Sequence, residues 1–327
     1  MCAFYETKGM IIEMQDTLSV DFLILLLATA VTAGTPLLYA ALGEIIAERA
    51  GILNLGVEGM MLAGAVSGFM VTLASGNCWA GYAAGMGMGG LLALIHAFLT
   101  INFKANQMVS GLSLTLFGTG VSSYLGKNMI GQPAPATFET ISIPGLSNLP
   151  GLGPVFFQHD ALVYISYVLV IAAGIFLFYT HAGLNLRAMG ENPGAADAMG
   201  INVFFWRYVS VFIGGALAGA GGAYLSLAYA PSWVENMTGG RGWIALALVI
   251  FSLWNPFRAF WSAYLFGGID AVGFRLQIMG IVIPSFFLQM LPYIFTILAL
   301  IFITTRKRGF AASAPKALGL PYHREDH

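Results

Sequence analysis

Apolar runs of membrane-spanning length alternate with short polar breaks along nearly the whole chain. A span needs about 20 apolar residues, somewhat fewer where a helix is short or broken. On that rule the pattern predicts spans at 21–43, 58–75, 79–100, 107–125, 161–180, 208–230, 242–254, 257–275 and 285–303. The 242–254 run is too short for a full crossing and reads as a half-helix packed inside the protein. The expected fold class is therefore an all-α integral membrane protein with about nine transmembrane helices, one of them broken. Its organisation reads as an outer N-terminal segment (1–20), a single transmembrane domain (21–303) and a cytoplasmic basic tail (304–327) taken to be mobile.

Two polar interruptions are long. The outer loop 126–160 contains Pro133, Pro135, Pro144, Pro150 and Pro154, and proline without an N–H donor favours turn-rich coil. It reads either as a docking face for an extracytoplasmic partner or as a plain connector. The second interruption, within 181–207, holds Gly183–Ile201, with Arg187, Glu191, Asn192 and Asp197 between apolar runs.

Orientation follows from Lys and Arg in the loops. With the C-terminus in the cytoplasm, the inner set is Arg49, Lys104, Arg187, Arg207, Arg258, Arg306, Lys307, Arg308, Lys316 and Arg324. The outer set is Lys8, Lys127, Arg241 and Arg275. Ten against four puts the N-terminus outside, as an odd number of spans requires. The expected location is the plasma (bacterial cytoplasmic) membrane, crossed several times.

Composition agrees with the pattern. The 327 residues are 58% hydrophobic and 9% charged, against roughly 25% charged in a soluble domain. Many of the 41 glycines fall four residues apart in apolar runs: Gly64 and Gly68, Gly81, Gly85 and Gly89, Gly215 and Gly219. In lipid that spacing lets helix backbones approach closely; random tolerance of glycine is the alternative. A net charge of −1 gives no reason to expect nucleic acid as a partner, and Cys2 and Cys78 match neither a disulfide framework nor a metal spacing. Residues 1–20 carry Glu6, Glu13 and Asp16 ahead of the first long apolar run and show no cleavable signal.

Three segments carry candidate chemistry. ERAGILNLGVEG, Glu48 to Gly59, sets two carboxylates, an arginine and an amide at the junction of two spans. Charge near hydrocarbon costs about 2.5–3.5 kcal/mol at mid-helix and so turns toward a cavity or a partner. Asn54 and Glu58, four apart, share a helix face. They read as polar lining of a pathway or as a bistable joint beside it; the alternative is a salt bridge of Glu48 or Glu58 with Arg49. In the 183–201 segment Asn192-Pro193 is a helix start, Asn at the cap and Pro at the first position. A short helix to about Met199, ended by Gly200, would present Ala195, Ala196, Asp197 and Met199 as a coupling lever, or would be an ordinary interfacial helix. NMTGGRGWIALA, Asn236 to Ala247, resembles the start of a broken helix whose free N–H groups meet a polar ligand. Asn236, Thr238 and Arg241 are then pathway or gate residues; the alternative is an outer turn.

Of the remaining intramembrane polar groups, His96 reads as a packed core histidine and Asp270 as half of a structural pair with a neighbouring helix. GLSLTLFG at 111–118 and ALALVIFS at 245–252 form a faint echo, for which chance is the simpler account. No phosphate-binding glycine loop, nucleophile elbow or His/Cys cluster occurs, so an ATPase would be a separate chain.

ERAGILNLGVEGMMLAGA, GLNLRAMGENPGAADAMGI and GRGWIALALVIF, in this order and spacing, resemble the permease subunits of ABC importers for branched-chain amino acids, ribose-type sugars and nucleosides. The resemblance runs from about residue 35 to 322. NLGVEG and RAMGENP look most like nucleoside permeases served by basic-membrane-protein-type lipoproteins. The resemblance implies a type II importer fold and a non-catalytic subunit. It implies a second, different permease chain, a cytoplasmic ABC ATPase and an extracytoplasmic solute-binding lipoprotein as partners. No cofactor is implied on this chain, ATP and Mg belonging to the ATPase. ATPase coupling would fall to Arg187, Gly190, Glu191, Asn192, Ala195, Ala196 and Asp197, and the substrate pathway to Asn54, Glu58, Asn236, Thr238 and Arg241. The chain departs at Ser252, Leu253, Trp254 and Asn255, where relatives commonly carry glycine after the phenylalanine. The competing readings are the same importer class for sugars or branched-chain amino acids, or an ion-coupled secondary transporter, for which only Asp270 and Glu58 would serve as acidic relay.

Overall fold

The computed structural model describes residues 20–278, the helical residues 287, 290–291, 293–298 and 301, and residues 314–324. Residues 1–19, most of the expected 285–303 span, and tail residues 302–313 and 325–327 lie outside the described residues.

The apolar runs become helices. They are α1 (Val20–Arg49), α2 (Val57–Ser75), α3 (Cys78–Ala97, continued by a π turn, Phe98–Asn102) and α4 (Gln107–Gly126). After a short β-ribbon come α6 (Ala161–Tyr179), α7 (His181–Glu191), α8 (Pro193–Ala198), α9 (Val203–Tyr224, with a second π turn, Leu225–Tyr229), α10 (Arg241–Phe251) and α11 (Pro256–Ile278). Short polar residues mark the starts. Asn77, Asn106, Asp160, Thr180, Asn192 and Asn202 each accept a backbone N–H at the head of α3, α4, α6, α7, α8 and α9, satisfying donors that a helix leaves free.

The nine-span expectation is corrected. Among the described residues five helices are long and apolar enough to cross a membrane: Val20–Arg49, Val57–Ser75, Cys78–Asn102, Ala161–Tyr179 and Val203–Tyr229. Helix α4 has the length, but Ser110, Ser113, Thr115, Ser122 and Ser123 lower its hydropathy. Helix α11 carries Arg258, Asp270 and Arg275, and α10 has only 11 residues. No comparable qualification applies to the span expected at 285–303, which is too little described.

The bundle closes through glycine. Helices α2, α3 and α9 cross where a Cβ on Gly64 would strike the Gly219 backbone, one on Gly85 the Gly64 carbonyl, and one on Gly89 the Gly215 carbonyl. The four-residue glycine spacing is thus a packing code, allowing backbone contact where lipid supplies no hydrophobic drive between helices. Helix α1 runs through the centre, buried from Ala30 to Glu48 apart from Thr32, and meets α9 at Gly43–Gly214 and α11 at Gly34–Gly267. Outward positions such as Leu116 and Val168 stay exposed, as lipid-facing residues do.

The 126–160 loop is more ordered than turn-rich coil. β1 (Thr140–Ser142) pairs antiparallel with β2 (Gln158–Asp160), Ile141 opposite His159, and α5 (Leu152–Phe156) lies between them against α1. The tail segment 314–324 is also placed: Ala317 N donates to the Gly190 carbonyl at 2.8 Å.

Candidate functional site

Two of the three polar segments meet. Glu58, in the first turn of α2, is 5% exposed. Its Oε1 accepts from the Thr238 hydroxyl at 2.5 Å and from Gly240 N at 2.9 Å; Oε2 accepts from Gly242 N at 2.6 Å. The free N–H groups at the head of α10, expected to meet a ligand, are held in this conformation by a carboxylate 182 and 184 residues away. Gly240 (φ 86°) makes the turn into the helix, and a side chain on Gly242 would strike Glu58 itself. An anion at a helix N-terminus is favoured by the unpaired donors and the helix dipole. The Glu58 carboxylate is the internal version of such an anion.

The other pathway candidates divide. Asn54 is buried, its Oδ1 taking Gly56 N at 2.9 Å and its Nδ2 reaching Met60 Sδ at 3.4 Å, so it shapes the turn before α2. Thr238 is fully buried against Glu58. Asn236 is exposed, in a left-handed turn (φ 55°). Arg241 pairs with Asp270 of α11 at 3.4 Å and lies over the Tyr229 ring at 5.6 Å. Asp270 is therefore half of an interhelical pair, with Arg241 and not Arg275 as partner. His96 is a packed histidine, its ring nitrogens at Ser110 Oγ (3.0 Å) and the Leu53 carbonyl (3.1 Å), tying α3 to α4 and the 50–56 turn.

The alternative salt bridge to Arg49 does not form. Arg49 Nε and Nη2 donate to the Trp254 carbonyl at 3.3 and 3.2 Å, and Glu48 Oε2 accepts from Trp254 Nε1 at 2.5 Å. Ser252, the residue after the phenylalanine, has ordinary helical backbone (φ −77°), and its hydroxyl donates to the Val249 carbonyl at 2.9 Å, so the structure gives no backbone reason for a glycine there. Leu253 and Trp254 both have left-handed backbones (φ 55° and 53°), which cost about 1–2 kcal/mol per non-glycine residue. Burial of the Trp254 indole and its bonds to the end of α1 hold this turn.

The remaining segment, 183–201, forms the short capped helix expected of it. Asn192 Oδ1 accepts Ala195 N at 3.0 Å, Pro193 opens α8, and Gly200 (φ 84°) follows its end. Gly190 packs against the Arg49 carbonyl and Pro315, and its own carbonyl accepts Ala317 N, so α7 sits against the end of α1. Glu191, Asn192 and Ala195 face outward, Ala196 is buried, and Arg187 stacks over Phe178 at 5.5 Å. Asp197 turns to the tail, accepting from the Tyr322 hydroxyl at 3.0 Å and Arg324 Nε at 2.9 Å, while Lys316 lies 3.8 Å from Glu191. Nothing in local sequence signals these tail contacts; only an excess of basic residues facing two lone carboxylates hints at them. No metal-binding cluster occurs among the described residues.

A family model described as the permease component of the branched-chain amino acid transport system matches residues 26–304. The chain belongs to this permease family. A Haloferax volcanii protein provisionally named a glucose ABC transporter permease is 43% identical over 322 residues, covering 92% of this chain and 98% of the relative. A guanosine ABC transporter permease of Bacillus subtilis is 36% identical, and a nucleoside ABC transporter permease of Lactococcus lactis 37%, each over 93% of this chain and 98% of its own length. No solved structure matches the chain. The protein is thus a membrane-embedded subunit of an ABC importer, a translocation component and not an enzyme. Family membership implies a complex with a second permease, an ATPase and a solute-binding protein, and it removes the ion-coupled carrier.

Proposed function

We propose that this chain forms half of the solute pathway of an ATP-driven importer for an uncharged, hydroxyl-rich small molecule, a nucleoside or a sugar. The C-terminus is cytoplasmic, the N-terminus outside, and the α7–α8 pair is the element gripped by the ATPase. The observation that carries this reading is the capped, outward-facing helix α8, which follows directly on α7, itself packed against the end of α1 at Gly190. A movement imposed on α8 reaches the core without passing through flexible chain. The basic loops gather on that same face, as cytoplasmic loops do.

The solute class draws its support from relatives named for glucose, guanosine and nucleosides, and the NLGVEG and RAMGENP segments favour the nucleoside member. The solute-binding lipoprotein docks on the opposite face, along the 126–160 ribbon. Asn54, Glu58, Asn236, Thr238 and Arg241 belong to the pathway side, where the Glu58–α10 contact is a joint that closes in the conformation described and opens when solute passes.

The test is chain-dependent uptake of labelled guanosine, glucose and leucine in cells with and without the gene, together with Ala195→Trp and Glu191→Lys. Uptake of guanosine or glucose should vanish with the gene. The two variants should assemble and retain ATPase activity while losing about tenfold in uptake. Normal uptake in both assembled variants would overturn the coupling role, and leucine as the sole transported solute would overturn the solute class.

A further inference from the structure

A cavity of about 330 Å³ lies between the outer half of α1, the ribbon of the 126–160 loop and the π turn that ends α9. Its volume is at the small end of the range that holds metabolite-sized ligands. None of the residues marked out by sequence lines it. Its walls combine two kinds of surface. Phe138, Tyr224 and Tyr229 supply aromatic faces, which pack against flat or C–H-rich ring surfaces. Thr29, Thr32 and Thr140 supply hydroxyls. Thr29 and Thr32 donate to the carbonyls of Leu25 and Thr29 at 2.8 and 2.9 Å, so each keeps an oxygen able to accept.

The remaining polar groups set the charge the cavity accepts. Asp160 uses Oδ1 to cap α6, at 2.9 Å to Leu162 N and 3.2 Å to Val163 N, while Oδ2 has only a long 3.4 Å contact with the Tyr224 hydroxyl. His159 meets the Val155 carbonyl through Nε2 at 2.7 Å. A carbonyl only accepts, so that nitrogen carries the proton and Nδ1 is an acceptor in the neutral ring. Burial holds the His159 pKa below its ordinary value, which keeps the ring neutral. Among the described residues no Lys or Arg lines the cavity, and Arg241, stacked on Tyr229, is already paired with Asp270. A carboxylate or phosphate would therefore meet acceptors without a cation. A hydroxyl-rich neutral molecule brings the donors these acceptors lack.

We infer that this cavity is a solute-binding station at the outer mouth of the pathway, taking an uncharged polyol with a ring face, either a nucleoside or a sugar. The inference rests on the importer reading and on its orientation. The π turn at Leu225–Tyr229 fits the role: such turns widen a helix locally and recur at functional sites, and here one turns Tyr224 and Tyr229 into the cavity.

The experiment uses the full chain with its partners, in intact cells, with Cys2→Ser and Cys78→Ser removing the native thiols. Thr32→Cys is then labelled with a small membrane-impermeant thiol reagent in the presence of guanosine, glucose or leucine. The residue should react from outside. Guanosine or glucose, whichever the cells take up through this chain, should slow labelling about threefold at twice its dissociation constant by simple occupancy, and leucine should not. Thr32→Trp, which fills the space, should lower uptake about tenfold at wild-type levels of assembled complex. Chain-dependent uptake with no protection at Thr32→Cys, or normal uptake by Thr32→Trp, would overturn the station alone. Protection by leucine would overturn the ligand class. Uptake of none of the three solutes would overturn the proposed solute class and the station with it.

Discussion

Glu58 offers the sharpest test of how the two polar segments are joined. Its carboxylate takes three donors: the Thr238 hydroxyl and the backbone N–H groups of Gly240 and Gly242. In Glu58→Ala the hydroxyl turns to another acceptor, but the two N–H groups lose their partners. At about 1–3 kcal/mol for each unsatisfied buried donor, opening the head of α10 becomes easier by about 2–6 kcal/mol. Glu58→Gln keeps one carbonyl oxygen, enough for Thr238 and Gly240, and sets an amide NH2 against Gly242 N–H. Only one donor is stranded, at a cost of about 1–3 kcal/mol. Hydrogen–deuterium exchange in detergent or nanodiscs reads this directly, since 1.4 kcal/mol is a factor of ten in an opening equilibrium. Glu58→Gln should speed exchange about 5- to 150-fold at Gly242 and leave Gly240 nearly unchanged, while Glu58→Ala should speed both. Leu162 N, bonded to the Asp160 carboxylate at 2.9 Å at the head of α6, serves as an internal reference. Equal exchange at Gly240 and Gly242 in wild type and Glu58→Ala would refute the capping role.

Gly219→Leu should abolish the folded monodisperse peak in size-exclusion chromatography, because its Cβ would strike the α3 backbone, whereas Gly87→Ala, with open space around it, should be silent. Asp197→Ala should leave thermal stability within about 1 kcal/mol, Arg324 being largely exposed. It should still make the 314–324 segment several-fold more sensitive to limited proteolysis; unchanged cleavage would show that Asp197 does not hold the tail. Single cysteines near Lys127 and Gln158 should label from outside in intact cells and one near Glu191 only after permeabilisation; outside labelling near Glu191 would reverse the orientation.

Much of the architecture was legible because it is local. Apolar runs locate the five long spans, since a helix in lipid must satisfy its backbone within about 20 residues. Asn192-Pro193 and Gly200 delimit α8 because capping and left-handed backbone are properties of adjacent residues. Glycines four apart mark one helix face that must meet another backbone, though not which one. The relations between distant segments were not legible. The run of apolar residues suggests α4 and α11 as spans like the rest, yet the serines lower the hydropathy of α4, and Arg258, Asp270 and Arg275 interrupt α11. Glu58 and Arg49 are near neighbours in sequence and invite a salt bridge, but packing sends one to the head of α10 and the other to the carbonyls at its far end. The polar cavity assembles threonines from α1, an Asp from the end of β2 and tyrosines from a helix end, none of which forms a motif. A side chain's hydrogen-bond capacity is fixed by its sequence identity. The partner that uses it is fixed by which backbones the glycine crossings bring together, and that is a property of the folded bundle alone.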